Sequence, residues 1–268
     1  MIDSVTLLGL VLVATLVAYA LLGGADYGGG LWDLLATGRT AGRQRATIAR
    51  AIGPVWEANH VWLIVAVVIL FTGFPRAFAA VSTFLHVPLL LVLVGIVLRG
   101  SAFVFRAYGP ADPRYQRFWG RIFAVASTAT PLALGVVVGA VTEGRLPERP
   151  GGSFLDVFIR PWLTPFALSV GLFALVLFGF LAAVYLTLEA RDAEERAAFR
   201  VRALISGAIV AVLAAAVLIL AAPDVRRGLT GTPWAVPLHM ATGAAGISAF
   251  VGLGREQYGL GGAAAGAP

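Results

Sequence analysis

Pro54-Val55-Trp56-Glu57-Ala58-Asn59-His60-Val61-Trp62 runs directly into Leu63-Ile64-Val65-Ala66-Val67-Val68-Ile69-Leu70-Phe71-Thr72-Gly73-Phe74-Pro75, and from Ala58 no charged residue occurs until Arg76. An apolar run of this length approaches the roughly 18 to 20 residues that a helix needs to cross a bilayer core. A carboxylate, an amide and an imidazole at the mouth of such a helix are costly there. That cost marks them as candidates for a route taken by protons, ions or substrate.

The rest of the chain repeats the pattern. Hydrophobic residues make up 59% and charged residues 13%, against roughly 45–50% and 25% in an ordinary soluble domain. Uncharged runs of near-spanning length occupy residues 4–25, 58–75, 77–98, 122–142, 161–188, 203–223 and 228–254. They are continuously apolar rather than alternating with period two, which favours a helix bundle over a barrel. The expected fold is therefore all-α, a polytopic transmembrane bundle of about seven spanning helices. The last run opens with Gly228-Leu229-Thr230-Gly231-Thr232-Pro233, so its helical part is expected over residues 234–253, after a loop entering the membrane.

The chain has no lysine, and orientation rests on arginine. With the amino terminus outside, the inside segments carry Arg39, Arg43, Arg45, Arg50, Arg99, Arg106, Arg114, Arg117, Arg121, Arg191, Arg196, Arg200, Arg202 and Arg255. The outside keeps Arg76, Arg145, Arg149, Arg160, Arg226 and Arg227. The excess on one side obeys the positive-inside rule and predicts an outside amino terminus. The net charge of +6 then reads as topology and attraction to anionic lipid, not as a nucleic-acid surface. Absence of cysteine removes disulfides, thiolate metal sites and iron–sulfur clusters. Met1-Ile2-Asp3-Ser4 lacks a positive n-region, so the first run is expected to be a retained helix. Residues 1–260 read as one integral membrane domain and 261–268 as a disordered Gly/Ala tail. Residues 191–202 are the expected helical extension into water, with Asp192 and Arg196 spaced to pair.

Glu57 and His60, three residues apart, share a helical face beside Asn59. Trp56 and Trp62 fit either an interfacial aromatic belt or a functional role. Asp26 closes the first apolar run in Gly23-Gly24-Ala25-Asp26-Tyr27-Gly28-Gly29-Gly30, at a depth expected to match Glu57. The glycines permit close approach, either of another helix or of a cofactor edge. Asp33 reads as an ordinary solvated residue. His60, His86 and His239 fall on three different runs, and His60 and His86 at different depths make a poor haem pair. His86 and His239 therefore read as packing histidines, and no metal site is expected.

Gly24-Ala25-Asp26-Tyr27-Gly28-Gly29-Gly30, the segment 54–64, Leu70-Phe71-Thr72-Gly73-Phe74-Pro75 and Leu98-Arg99-Gly100-Ser101-Ala102-Phe103-Val104-Phe105-Arg106 together resemble subunit II of cytochrome bd-type quinol oxidases, closest to the cyanide-insensitive branch. The resemblance is strong over the first 106 residues, and its most specific piece is the Pro-x-Trp-[Asp/Glu]-x-Asn-x-x-Trp element. It implies a subunit of a quinol:oxygen oxidoreductase in a bacterial cytoplasmic (inner) membrane that itself ligates no haem and performs no catalysis alone. Haem b and haem d are expected on the partner, subunit I, which this chain would stabilise while supplying part of a proton path from the cytoplasm. Glu57, Trp56 and Trp62 match the motif at the mouth of that path, and Asp26 matches the carboxylate closing helix one; Asn59 and His60 complete the set. A structural quinone and a small single-helix subunit are further expected neighbours, with membrane lipid. Two departures stand out. Val104 occupies a position where some members have an aspartate assigned to the proton route. Members also usually have nine helices, which leaves open a shortened member or a lost end.

Two other classes stay open at this stage. A small secondary transporter or channel would use Asp26 and Glu57 to bind a coupling ion, although inverted repeats are lacking. A stand-alone membrane cytochrome b would use His60 and His86.

Overall fold

The computed structural model describes residues 3–147 and 151–255, apart from the side chains of residues 54–57. Among the described residues every regular element is a helix: α1 (Ser4–Leu35), α2 (Ala41–Gly73), α3 (Pro75–Phe84), α4 (His86–Tyr108), α5 (Pro113–Glu143), α6 (Phe154–Phe158), α7 (Pro165–Glu189), α8 (Ala193–Leu220), α9 (Pro223–Thr230) and α10 (Ala235–Gly254). Six are long and apolar enough to cross a membrane, and α2 makes a seventh if its two halves count as one span. The all-α expectation therefore agrees with the structure. The tail 261–268 lies outside the described residues.

Four of the long helices, α1, α5, α7 and α8, start where a side-chain oxygen can take over an amide that lacks a partner in the helix. Asp112 accepts from Tyr115 N at 2.9 Å, Thr164 from Ala167 N at 3.0 Å and Asp192 from Glu195 N at 2.8 Å. Pro113 and Pro165 follow in the first turn, where a missing N–H costs nothing.

Most helices outrun the apolar segments that announce them. α1 continues ten residues beyond the run ending at Ala25, and α2 begins at Ala41, well before Ala58. Asp26 thus sits inside α1 and does not close it, a correction to the sequence reading. α2 bends by 51° between its Ala41–Gly53 and Ala58–Gly73 parts, and Pro54 at the joint deletes an i→i−4 amide. Residues 77–98 are likewise not one helix. The chain breaks at Leu85 (φ −112°, ψ 20°), because Pro88 cannot donate to the carbonyl of Phe84. The spanning helix is α4, which runs past Leu98 to Tyr108. Near the other end, α10 begins at Ala235, matching the expected helical onset, while part of the expected preceding loop is the short helix α9.

The bundle packs α1 against α2, α5 and α7, with α4 on α5 and α8 on α7. The glycines of α1 make this possible. A Cβ at Gly28 would collide with the carbonyl oxygen of Phe178 on α7, and one at Gly30 with the Ser127 side chain on α5. Of the two roles open to that run, the structure uses close approach to other helices. One apolar core joins Trp32, Ile48, Ile52, Phe123, Phe180 and Phe199, and a second cluster joins Tyr19, Tyr27 and Phe178. Trp32 Nε1 donates to Gly179 O at 2.7 Å, fixing α1 on α7.

Candidate functional site

Asp26 lies in the interior of the α1, α2, α4 and α5 packing, fully buried. Its carboxylate forms an ion pair with Arg99 of α4, whose own side chain is 1% exposed. Arg99 Nε also donates to Ser127 Oγ on α5 at 3.1 Å, and Nη2 lies 3.4 Å from the Asp26 carbonyl. The guanidinium stands 4.8 Å from the Tyr27 ring centroid and 5.3 Å from that of Phe123, a cation–π setting that helps offset desolvation. From α2, Asn59 Nδ2 donates to Asp26 Oδ2 at 3.4 Å, and His60 acts on Asp26 electrostatically. Tyr19 Oη donates to Tyr27 Oη at 3.4 Å one layer away. Asn59 Oδ1 is buried without a hydrogen-bond partner among the described residues.

Two helical turns along α1 the arrangement recurs. Asp33, 4% exposed, takes Arg106 Nη1 on Oδ2 at 2.7 Å and Arg45 Nε on Oδ1 at 2.9 Å. Arg45 Nη2 also donates to Ala36 O at 2.9 Å, beyond the end of α1. Asp33 is therefore not a solvated loop residue: the helix that was expected to stop at Asp26 carries it into a clamp between α1, α2 and α4. Arg99, taken as a loop arginine from sequence, is likewise an interior residue of α4. Because 33 − 26 and 106 − 99 are both seven, α1 and α4 run parallel with two ion pairs about 10.5 Å apart along the axis.

The sequence candidates divide accordingly. Asp26 and Asn59 meet directly, with His60 beside them. The side chains of Glu57 and Trp56 lie outside the described residues, although both belong to α2. Trp62 is 38% exposed. Val104 is 41% exposed, while Arg106, two residues on, reaches Asp33. His86 Nδ1 lies 2.8 Å from Thr83 O with its ring 4.8 Å from that of Phe158, and His239 Nδ1 lies 2.6 Å from Ala235 O. Both residues are exposed, so the packing role expected of them does not extend to burial. Asp192 caps α8 and pairs with Arg43 at 3.3 Å, across to α2. Among the described residues no three His, Asp or Glu side chains are grouped to hold a metal.

Sequence reasoning missed Arg99, Ser127 and Arg106. The available signal was the registry of Asp26 and Asp33 with Arg99 and Arg106, equal in spacing on two helices that the topology makes parallel.

Comparison with known proteins gives a consistent result. The family described as Cytochrome bd terminal oxidase subunit II matches residues 5–267. A Bacillus subtilis protein named cytochrome bd ubiquinol oxidase subunit 2 is 33% identical over 139 residues, 50% of this chain and 39% of that one. The Escherichia coli K12 protein named cytochrome bd-I ubiquinol oxidase subunit 2 is 30% identical over 132 residues, 48% of this chain and 33% of its own length. These alignments thus span 33% to 39% of the curated relatives' lengths. The structure of bd oxidase from Geobacillus thermodenitrificans superposes with a TM-score of 0.73 at 20% identity, covering 98% of this chain and 80% of that one, and shares its fold.

Proposed function

The chain belongs to the cytochrome bd terminal oxidase subunit II family, and from that membership we propose that it is the second membrane subunit of a quinol:oxygen oxidoreductase in a bacterial inner membrane. It stabilises a haem-bearing subunit I and supplies a proton-uptake path from the cytoplasm. Haem b and haem d, held by the partner, would supply the electron transfer from quinol to oxygen. This chain's own residues handle protons and packing.

In that reading Glu57 takes protons from bulk water at the joint of α2 and passes them along the Asn59–His60 face. The observation that carries it is the buried Asn59 Oδ1, which has no hydrogen-bond partner among the described residues, on the amide that reaches the Asp26 carboxylate. A buried acceptor of this kind calls for a donor, and a chain of waters from Glu57 would supply one. Asp26, held by Arg99, is the orienting group: a carboxylate fixed by a serine-anchored guanidinium and an amide aligns dipoles along the path. Replacement of an aspartate by Val104 in α4 leaves this α2 face as the route.

Glu57→Ala in the assembled complex is expected to slow oxygen consumption while leaving quinol binding unchanged; unchanged turnover removes Glu57 from the path. Purification tests the broader reading. A haem spectrum seen only with a second large membrane subunit supports it. Haem on this chain alone would point to a cytochrome b, and haem-free ion flux to a transporter.

A further inference from the structure

Where α4 ends and α5 begins, the surface opens into a cavity of about 510 Å³ lined by Asp33, Arg45, Arg106, Arg117 and Arg121, among others. Four guanidiniums face one carboxylate, and that carboxylate is already held by Arg45 and Arg106. Arg117 and Arg121 are exposed on successive turns of α5 and have neither a hydrogen bond nor an ion pair among the described residues. Their four-residue spacing puts them on one face. Cations left in this way on a membrane helix call for an anion.

A second cavity, of about 580 Å³, starts at the same Arg121 and follows the seam between α4 and α5. Its walls are apolar: Leu91, Val94 and Leu98 on one side, Val125, Ala129 and Ala133 on the other. From Arg121 to Val136, the furthest lining residue on α5, the helix rises about 22 Å. One leaflet of a bilayer core is roughly 15 Å deep. The groove therefore has room for a whole acyl chain.

We infer that this joint site binds an anionic phospholipid, with its phosphate on Arg117 and Arg121 at the rim of the Asp33 clamp and one acyl chain in the α4–α5 groove. Basic pockets at the ends of membrane helices, continuous with an apolar seam, suit lipid of that charge. A quinone would fill the groove equally well. Its neutral head gives no reason for two unpaired guanidiniums.

The test uses the full chain in its assembled complex, delipidated in mild detergent and returned to phosphatidylglycerol or phosphatidylcholine, with retained lipid read by native mass spectrometry. Phosphatidylglycerol is expected to be retained preferentially. Arg117→Gln with Arg121→Gln should lower that preference about thirtyfold, at about fivefold for each arginine near the surface, whereas Arg114→Gln, outside the cavity lining, should leave it unchanged. Ala129→Trp should expel long-chain phosphatidylglycerol while sparing the short-chain form, separating groove from head site. The inference is overturned by equal retention of the two lipids, by an Arg114→Gln effect as large as that of the double variant, by quinone recovered from the site in place of phospholipid, or by a cross-link showing that a partner polypeptide fills the groove.

Discussion

Asp26 on α1 and Arg99 on α4 form an ion pair in which 0% and 1% of the two side chains is accessible. Neither can be solvated if the other is removed, and the energetics of such pairs are asymmetric. The intact pair contributes little net stability, because Coulomb attraction roughly balances desolvation, yet a lone survivor is a buried charge without compensation. The pair's value here lies in registry. With Asp33 and Arg106 two turns away, it fixes the axial alignment of two parallel helices that these side chains bridge.

Arg99→Met alone is expected to destabilise the chain by about 3–5 kcal/mol, as when one partner of a buried pair is deleted. Asp26→Leu combined with Arg99→Met should recover most of the loss, since both charges then disappear. Unfolding of the purified protein by denaturing detergent, compared across the single and double variants, measures the coupling. Additive losses would mean that the two side chains do not act as a pair.

The Asp33 clamp should behave differently, because Arg45 is 43% and Arg106 20% exposed. Asp33→Asn weakens two charge-assisted contacts that water can partly replace, so its cost is expected to be smaller than that of the Arg99 deletion. It should shrink further between 0.1 and 1 M salt, where the screening length falls from about 10 to about 3 Å. The Arg99→Met effect should not. Stability measured at the two salt concentrations checks both statements.

How far the sequence showed this architecture can be read from these same residues. The apolar runs located the spanning segments because hydrocarbon demands continuous apolar surface and internally satisfied backbone. They failed at the ends for one reason: each charge was taken to end a span. Asp26, Asp33, Arg99 and Arg106 break that assumption in pairs, since a carboxylate and a guanidinium that find each other can both sit inside. The bend of α2 was legible in Gly53-Pro54, and the break at Leu85 was legible in Pro88. The Ser127 contact of Arg99 was not, because nothing in a single chain of letters says which face of α5 meets α4.

Glycine positions in α1 test the packing. Gly28→Ala should cost about 1–3 kcal/mol, the usual penalty for overpacking, since the added methyl meets backbone of α7 that cannot rotate away. Gly42→Ala, on α2 with nothing within 4 Å of the new Cβ, should be neutral or stabilising by up to about 1 kcal/mol through helix propensity. The same detergent-unfolding assay distinguishes them, and equal effects would argue against the α1–α7 contact.

Asn59 separates the proton-path reading from a purely structural one. Its Nδ2 contact to Asp26 is long, at 3.4 Å, so Asn59→Leu removes a weak hydrogen bond from a carboxylate that Arg99 still neutralises. Stability should therefore fall by only about 1 kcal/mol, in the range of an ordinary hydrogen bond. If waters from Glu57 are ordered by Asn59 Oδ1, the same change interrupts proton delivery. Turnover at saturating quinol then drops about tenfold or more, within the range of a lost proton-transfer partner, while quinol KM stays constant. A structural role predicts the reverse, with turnover tracking the small loss of folded complex. Oxygen consumption and haem content measured on one preparation, with turnover expressed per haem, separate the two outcomes.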